Sequence, residues 1–179
     1  MSDLKHKVLK DSFGHNSFRE LQEEGVDAIL EGRDLLMILP TGGGKSLVFQ
    51  LPTLIKDGIS IVISPLIALM QDQVSTLKAQ NIPAEMISSA QTHEEIEEIL
   101  YQLRMKSLKF LYLSPERLNT QWSYDLLQTL DINFFVIDEA HCISQWGHEF
   151  RDDYRALGNL KHNFPNVSIC AFTATSTDN

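Results

Sequence analysis

Short apolar runs recur along the chain: DLLMIL (34–39), ISIVIS (59–64), AEMIS (84–88), KFLYLS (109–114), FFVID (134–138) and VSICAF (167–172). Several are apolar at consecutive positions, so both faces of each strand must be covered, as in a parallel sheet flanked by helices. Between them, LIALMQDQVSTLKAQ (66–80) and ERLNTQWSYDLLQTL (116–130) carry apolar residues three and four apart, which predicts helices. THEEIEEILYQL puts Ile96, Ile99, Leu100 and Leu103 on one helical face and turns its glutamates mostly to solvent, with Thr92 and Glu95 spaced for a capping box. Pro52 sits inside the helix expected after residue 45 and predicts a kink or an early stop there. The alternation predicts an α/β fold: one doubly wound domain with a helical lead-in (1–32) and a core (33–179). The final STDN holds helix-starting residue types, so a further helix is expected to follow and the chain reads as cut.

Composition narrows the class. A chain of 179 residues, 43% apolar and 22% charged, suits one globular domain. No apolar run approaches the roughly 18 residues of a membrane-spanning helix, and the polar start MSDLKHKVLKD is no secretory signal. Cys142 and Cys170 form no CxxC pair, which makes a disulfide or zinc site a weak reading and an intracellular, reducing compartment the expectation. A net charge of −9 argues against a broad basic surface. It leaves room for a narrow nucleic-acid track built from amides, a few cations and stacking rings.

The chemistry concentrates in three stretches. LPTGGGKS (39–46) follows a strand and precedes a helix. There Thr41, Gly42, Gly43 and Gly44 can turn backbone amides toward phosphate oxygens, Lys45 can reach the β- and γ-phosphates, and the Ser46 hydroxyl can bind Mg²⁺. The strict P-loop pattern asks for glycine where Leu39 stands, so this is a variant. FFVIDEAH delivers Asp138 and Glu139 to a strand's carboxyl end, Asp138 suited to Mg²⁺ and Glu139 to orienting and deprotonating a water. In FGHNSFRELQ (13–22), Gln22 could read an adenine edge with Phe13 or His15 stacking on the base. The plainer reading of that stretch is a Phe–Phe–Leu packing stripe with an exposed glutamine.

Taken in order, FGHNSFRELQ, LPTGGGKS, SPLIALMQDQV, LYLSPERL, VIDEAHCISQWGHEFR and FTATS resemble the first RecA-like domain of RecQ-type DNA helicases of superfamily 2, over essentially the whole chain. DEAHCISQWGH is the most specific part. The resemblance implies a RecA-like P-loop domain, mainly a parallel sheet with helices on both faces. It implies the ATP-binding half of a 3′-to-5′ DNA helicase, with ATP and Mg²⁺ as cofactors and single-stranded DNA and duplex junctions as partners. Arg19 and Gln22 then look like an adenine-recognition pair. Ser64, Gln73, Ser114 and Arg117 look like phosphate partners along the single-strand track, and Thr173 and Thr175 like the link between hydrolysis and domain movement. The same likeness makes AHCISQWGHEFR a DNA-sensing loop. Trp146 and Phe150 would stack on bases, Arg151 would meet a phosphate or base face, and His141 and His148 would relay contact to Glu139. From the residues alone, Trp146 and Phe150 could equally be core.

The likeness is imperfect at His15, Glu20, Asp152 and Ser176, where Tyr, Pro, Pro and Ala are frequent in the family. Imidazole in place of phenol weakens stacking, and Asp152 sets an acid beside the DNA loop. The resemblance also implies a second RecA-like domain whose arginine finger is worth on the order of 10³–10⁵ in rate, so these residues alone are expected to bind ATP weakly and not to unwind duplex. A DEAH-type RNA helicase and a nucleotide-switched nucleic-acid clamp without unwinding are the competing readings.

Overall fold

In the computed structural model, residues 2–40, 44–140 and 158–174 are described. Two helices, α1 (Ser2–Phe13) and α2 (Gln22–Leu30), lead into β1 (Leu35–Leu39), α3 (Lys45–Ile55), β2 (Ile59–Ile63), α4 (Ile67–Ala79), β3 (Ala84–Ile87) and α5 (His93–Arg104). β4 (Phe110–Leu113), the short α6 (Pro115–Leu118), α7 (Gln121–Gln128), β5 (Ile132–Ile137) and β6 (Ser168–Ala174) follow. The described strands form one sheet in the order β1-β6-β5-β2-β4-β3, and every pairing is parallel.

The apolar runs explain the layering. Along β5, Phe134 and Val136 enter one core with Leu9, Val26, Ile29, Phe49, Met70 and Leu77 from α1 to α4. Their neighbours Phe135 and Ile137 enter the opposite core with Ile99, Leu103, Leu118 and Leu127 from α5 to α7, and with Leu160 from the helical turn at 158–163. Side chains one residue apart point to opposite faces of a strand, so a continuous apolar run is what a sheet covered on both sides requires. Phe49 and Phe172 meet at 5.4 Å between ring centroids. Gly25 lets α2 close on this core, since a Cβ there would lie 2.5 Å from the Met37 methyl carbon and 2.7 Å from a Val48 methyl.

Three local expectations need revision. Pro52 does not stop α3, which continues to Ile55; Leu51 and Thr53 are fully buried, and that packing holds the turn past the missing amide. The 116–130 stretch is two helices rather than one, because Ser114 caps α6 by accepting from the Arg117 amide and Thr120 caps α7 by accepting from the Ser123 amide. On α4 only Met70, Val74 and Leu77 are buried, spaced four and three apart, so the buried face is narrower than the apolar pattern of 66–80 and leaves Leu66 and Leu69 exposed. The capping box on α5 forms as predicted, with Thr92 and Glu95 satisfying each other's backbone amides.

Cys170 lies on β6 in register with Leu35. Burial pushes its thiol up from 9.0 to about 12, and burial likewise raises the Tyr112 phenol above its ordinary 10.0. Both groups hold their proton more tightly folded than unfolded. Their stabilising contribution is therefore complete below about pH 9 and is lost as pH rises through the folded values. Urea midpoints are expected to fall between pH 9 and 12, and Cys170→Ala to flatten the early part of that slope; a variant as steep as the parent would contradict the assignment.

Candidate active site

All described strands run parallel, so their carboxyl ends share one edge of the sheet, the position where open α/β sheets bind ligands. β1 ends at Leu39, and α3 starts at Lys45 after Gly44, whose φ of 74° lies in the left-handed region. A Cβ at Gly44 would stand 2.4 Å from Gln22 Nε2. Glycine is thus favoured there by backbone conformation, and any larger residue would also have to displace the Gln22 amide. The Gln22 amide fixes this junction: its Nε2 donates to the Gly44 carbonyl at 3.0 Å and its Oε1 accepts from the Arg19 amide at 2.7 Å. Gln22 is buried while Leu21 is 47% exposed, which inverts those two positions of the packing-stripe reading, whereas Phe13 and Phe18 do pack against the core. Phe13, His15, Arg19, Gln22, Ser46 and Gln50 line a cleft of about 310 Å³ beside the start of α3.

β5 brings the carboxylates. The Asp138 amide donates to the Ile63 carbonyl at 2.9 Å, which extends the sheet by one bond, and its side chain is 2% exposed. The chain then turns at Glu139, a non-glycine residue at φ 56°, a conformation costing about 1–3 kcal/mol that neighbouring contacts must sustain. Those contacts are visible. The Glu139 amide donates to Asp138 Oδ1 at 3.0 Å, and the Glu139 carboxylate pairs with Lys45 Nζ, which also lies 3.2 Å from Asp138 Oδ1. Burial pulls the Lys45 ammonium down, but the Glu139 hydrogen bond and the Asp138 charge outweigh it and hold the group above its usual 10.5. Lys45 is fully protonated at neutral pH.

The other oxygen of Asp138 is also engaged. Gln73 Nε2 donates to Asp138 Oδ2 at 3.2 Å, and Gln73 Oε1 accepts from the Tyr112 hydroxyl at 2.7 Å. Gln50 of α3 stands near the same phenol and partly offsets the effect of burial on it. Neither Tyr112 nor Gln50 stood out in the sequence, where one reads as a strand aromatic and the other as an ordinary helix residue.

The donors present are hard oxygens: the Ser46 hydroxyl and the Asp138 and Glu139 carboxylates. Among the described residues no three His, Cys, Asp or Glu side chains gather as a metal cage. Mg²⁺ commonly takes one or two carboxylates and completes its shell with water and substrate phosphates, so this donor set fits it.

The remaining predicted residues are placed as follows. Ser64 and Ser114 are both 2% exposed. Their hydroxyls accept from the Leu66 amide at 3.2 Å and the Arg117 amide at 3.3 Å, so these side chains cap the chain turns after β2 and β4. The Arg117 guanidinium lies 4.4 Å from the centroid of the Trp122 ring. Thr173 sits on β6 in register with Ile38. Thr41, Gly42, Gly43, His141, Trp146, His148, Phe150, Arg151 and Thr175 lie outside the described residues.

Comparison with known proteins agrees with this geometry. The DEAD/DEAH box helicase family matches residues 19–179. The chain is 49% identical, over 94% of its length, to the ATP-dependent DNA helicase RecQ of Haemophilus influenzae, covering 27% of that protein. It is 41% identical, over 98% of its length, to the ATP-dependent DNA helicase Q1 of Rattus norvegicus, covering 29% of it. The chain therefore spans about a quarter of the length of these relatives. Among solved structures, the DUF1998 helicase MrfA bound to DNA and AMPPNP matches with a TM-score of 0.74 over 97% of this chain and 26% of the other, at 17% identity, a likeness of fold.

Proposed function

The chain belongs to the DEAD/DEAH-box helicase family, in its RecQ branch, and on that premise we propose that it is the ATP-binding half of an ATP-dependent 3′-to-5′ DNA helicase. The observation that best supports this reading is the Lys45 ammonium held between Asp138 and Glu139 at the carboxyl edge of the sheet. Lys45 meets the β- and γ-phosphates of ATP, Ser46 and Asp138 hold Mg²⁺, and Glu139 orients the attacking water and takes its proton. The Mg²⁺ would neutralise charge developing on the phosphates. Arg19 and Gln22, with His15 or Phe13 as a stacking partner, form the adenine subsite in the adjoining cleft. The nucleic-acid partner is single-stranded DNA and its junctions with duplex. A second RecA-like domain is the protein partner that turns hydrolysis into movement.

The test is phosphate release by the full-length protein with no nucleic acid, with single-stranded DNA and with RNA, alongside opening of 3′- and 5′-tailed duplexes. Stimulation by DNA and opening of the 3′-tailed substrate are expected. Stimulation by RNA alone would transfer the reading to an RNA helicase. Nucleotide-dependent DNA binding without turnover would transfer it to a switched clamp.

A further inference from the structure

A partly buried polar chain runs behind the carboxylate pair, and its hydrogen-bond polarity is fixed. An ionised Asp138 can only accept, so Gln73 must present its NH₂ group to Oδ2 and its carbonyl oxygen to Tyr112. The Tyr112 hydroxyl must then donate, as the distances of 3.2 Å and 2.7 Å describe. The aromatic end of this chain cannot shift: Tyr112 is fully buried, in register with Val62 of β2 and Met86 of β3. The middle sits on α4, between the buried Met70 and Val74. The far end is Asp138, whose other oxygen lies beside Lys45. The hydrogen-bonded chain thus crosses β4, α4 and β5, and Gln50, on the same helix as Lys45, stands near the phenol at its aromatic end.

A strand aromatic buried this deeply usually has an apolar partner at its tip. Here the hydroxyl costs desolvation unless it is bonded, and its bond leads to a carboxylate of the active site. We propose that Tyr112 and Gln73 are positioning residues that hold Asp138 Oδ2, fixing the rotation of that carboxylate so that Oδ1 faces Lys45 and the cation site. The proposal rests on the reading of Asp138 as a Mg²⁺ ligand. It adds that α4 sets the orientation of this ligand: a displacement of α4 relative to β4 lengthens one of the two Gln73 bonds and frees the carboxylate to turn. α4 would in this way act on the metal site without touching the nucleotide.

The experiment uses the full-length protein and three variants, Tyr112→Phe, Gln73→Met and the double variant. Mn²⁺ binding in the presence of ADP is followed by electron paramagnetic resonance, and kcat and KM for ATP are measured in parallel. Losing one buried hydrogen bond corresponds to about a two- to tenfold effect. Tyr112→Phe is expected to weaken Mn²⁺ binding and lower kcat by about that factor, with KM little changed. Gln73→Met is expected to do at least as much, and the double variant to match Gln73→Met, because both side chains act through one bond to Asp138. Single variants that lower only the melting temperature, with Mn²⁺ affinity and kcat at parent values, would overturn the proposal, as would fully additive losses in the double variant. Absence of Mn²⁺ binding by the parent protein would overturn the reading of the site itself, and the proposal with it.

Discussion

Glu139→Gln is expected to lower ATP turnover by about 10²–10⁴-fold, the usual contribution of a positioned general base, while ATP affinity stays within a few-fold of the parent. The amide keeps the size of the carboxylate and can still accept from Lys45, and Asp138 remains beside the ammonium at 3.2 Å. What it loses is the capacity to take a proton. Single-turnover quench experiments with equilibrium nucleotide binding measured on the same preparation check the split. Unchanged turnover in the full-length protein would remove Glu139 from the chemistry and favour the clamp reading.

Lys45→Ala is expected to act on the other side of that split, weakening ATP binding by about 2–5 kcal/mol, or some 30- to several-thousand-fold, the range found when one partner of a buried charge pair is truncated. Two effects add. The phosphates lose their ammonium contact, and Asp138, 2% exposed, and Glu139 are left without a cation, so an arriving triphosphate faces two uncompensated carboxylates. Arginine is not an equivalent replacement, because its planar fork cannot occupy the position of a point charge between the two acids. Calorimetric titration with ATP measures the loss. Parent-like affinity would mean that the phosphates bind elsewhere.

Continuous apolar runs made the strands legible, because a strand buried on both faces has little freedom in composition. The cap residue Thr92 carried the start of α5, whereas the break inside 116–130 rests on Ser114 before it and Thr120 within it, caps that the helical periodicity of that stretch concealed. The residues of the candidate site that stand in glycine-rich or acidic motifs were equally visible: Gly44, Lys45, Asp138 and Glu139. What escaped is joined across long separations. Gln73 and Asp138 lie 65 positions apart, and Tyr112 and Gln73 lie 39 apart, so neither bond leaves a local pattern. Tyr112 occupies the kind of strand position that Phe110 fills with a purely apolar ring, and only the register of β4 against its neighbours gives its hydroxyl a target. Gln22 was visible as a candidate reader of a base, but its grip on the Gly44 carbonyl depends on how α2 approaches α3. The exposure of Leu66 and Leu69 has the same origin: α4 shows the sheet only one narrow face.

The double engagement of Lys45 has a thermodynamic consequence. One ammonium cannot serve a triphosphate and two carboxylates equally, so nucleotide binding competes with an internal partner and its affinity is a difference between two sets of contacts. As Lys45 turns toward the phosphates, Asp138 and Glu139 are left seeking positive charge, and a divalent cation satisfies them. Nucleotide and cation should therefore favour each other's binding, and reciprocity requires the same factor whichever is added first. The lysine makes this site a coincidence detector, reluctant to hold either component without the other.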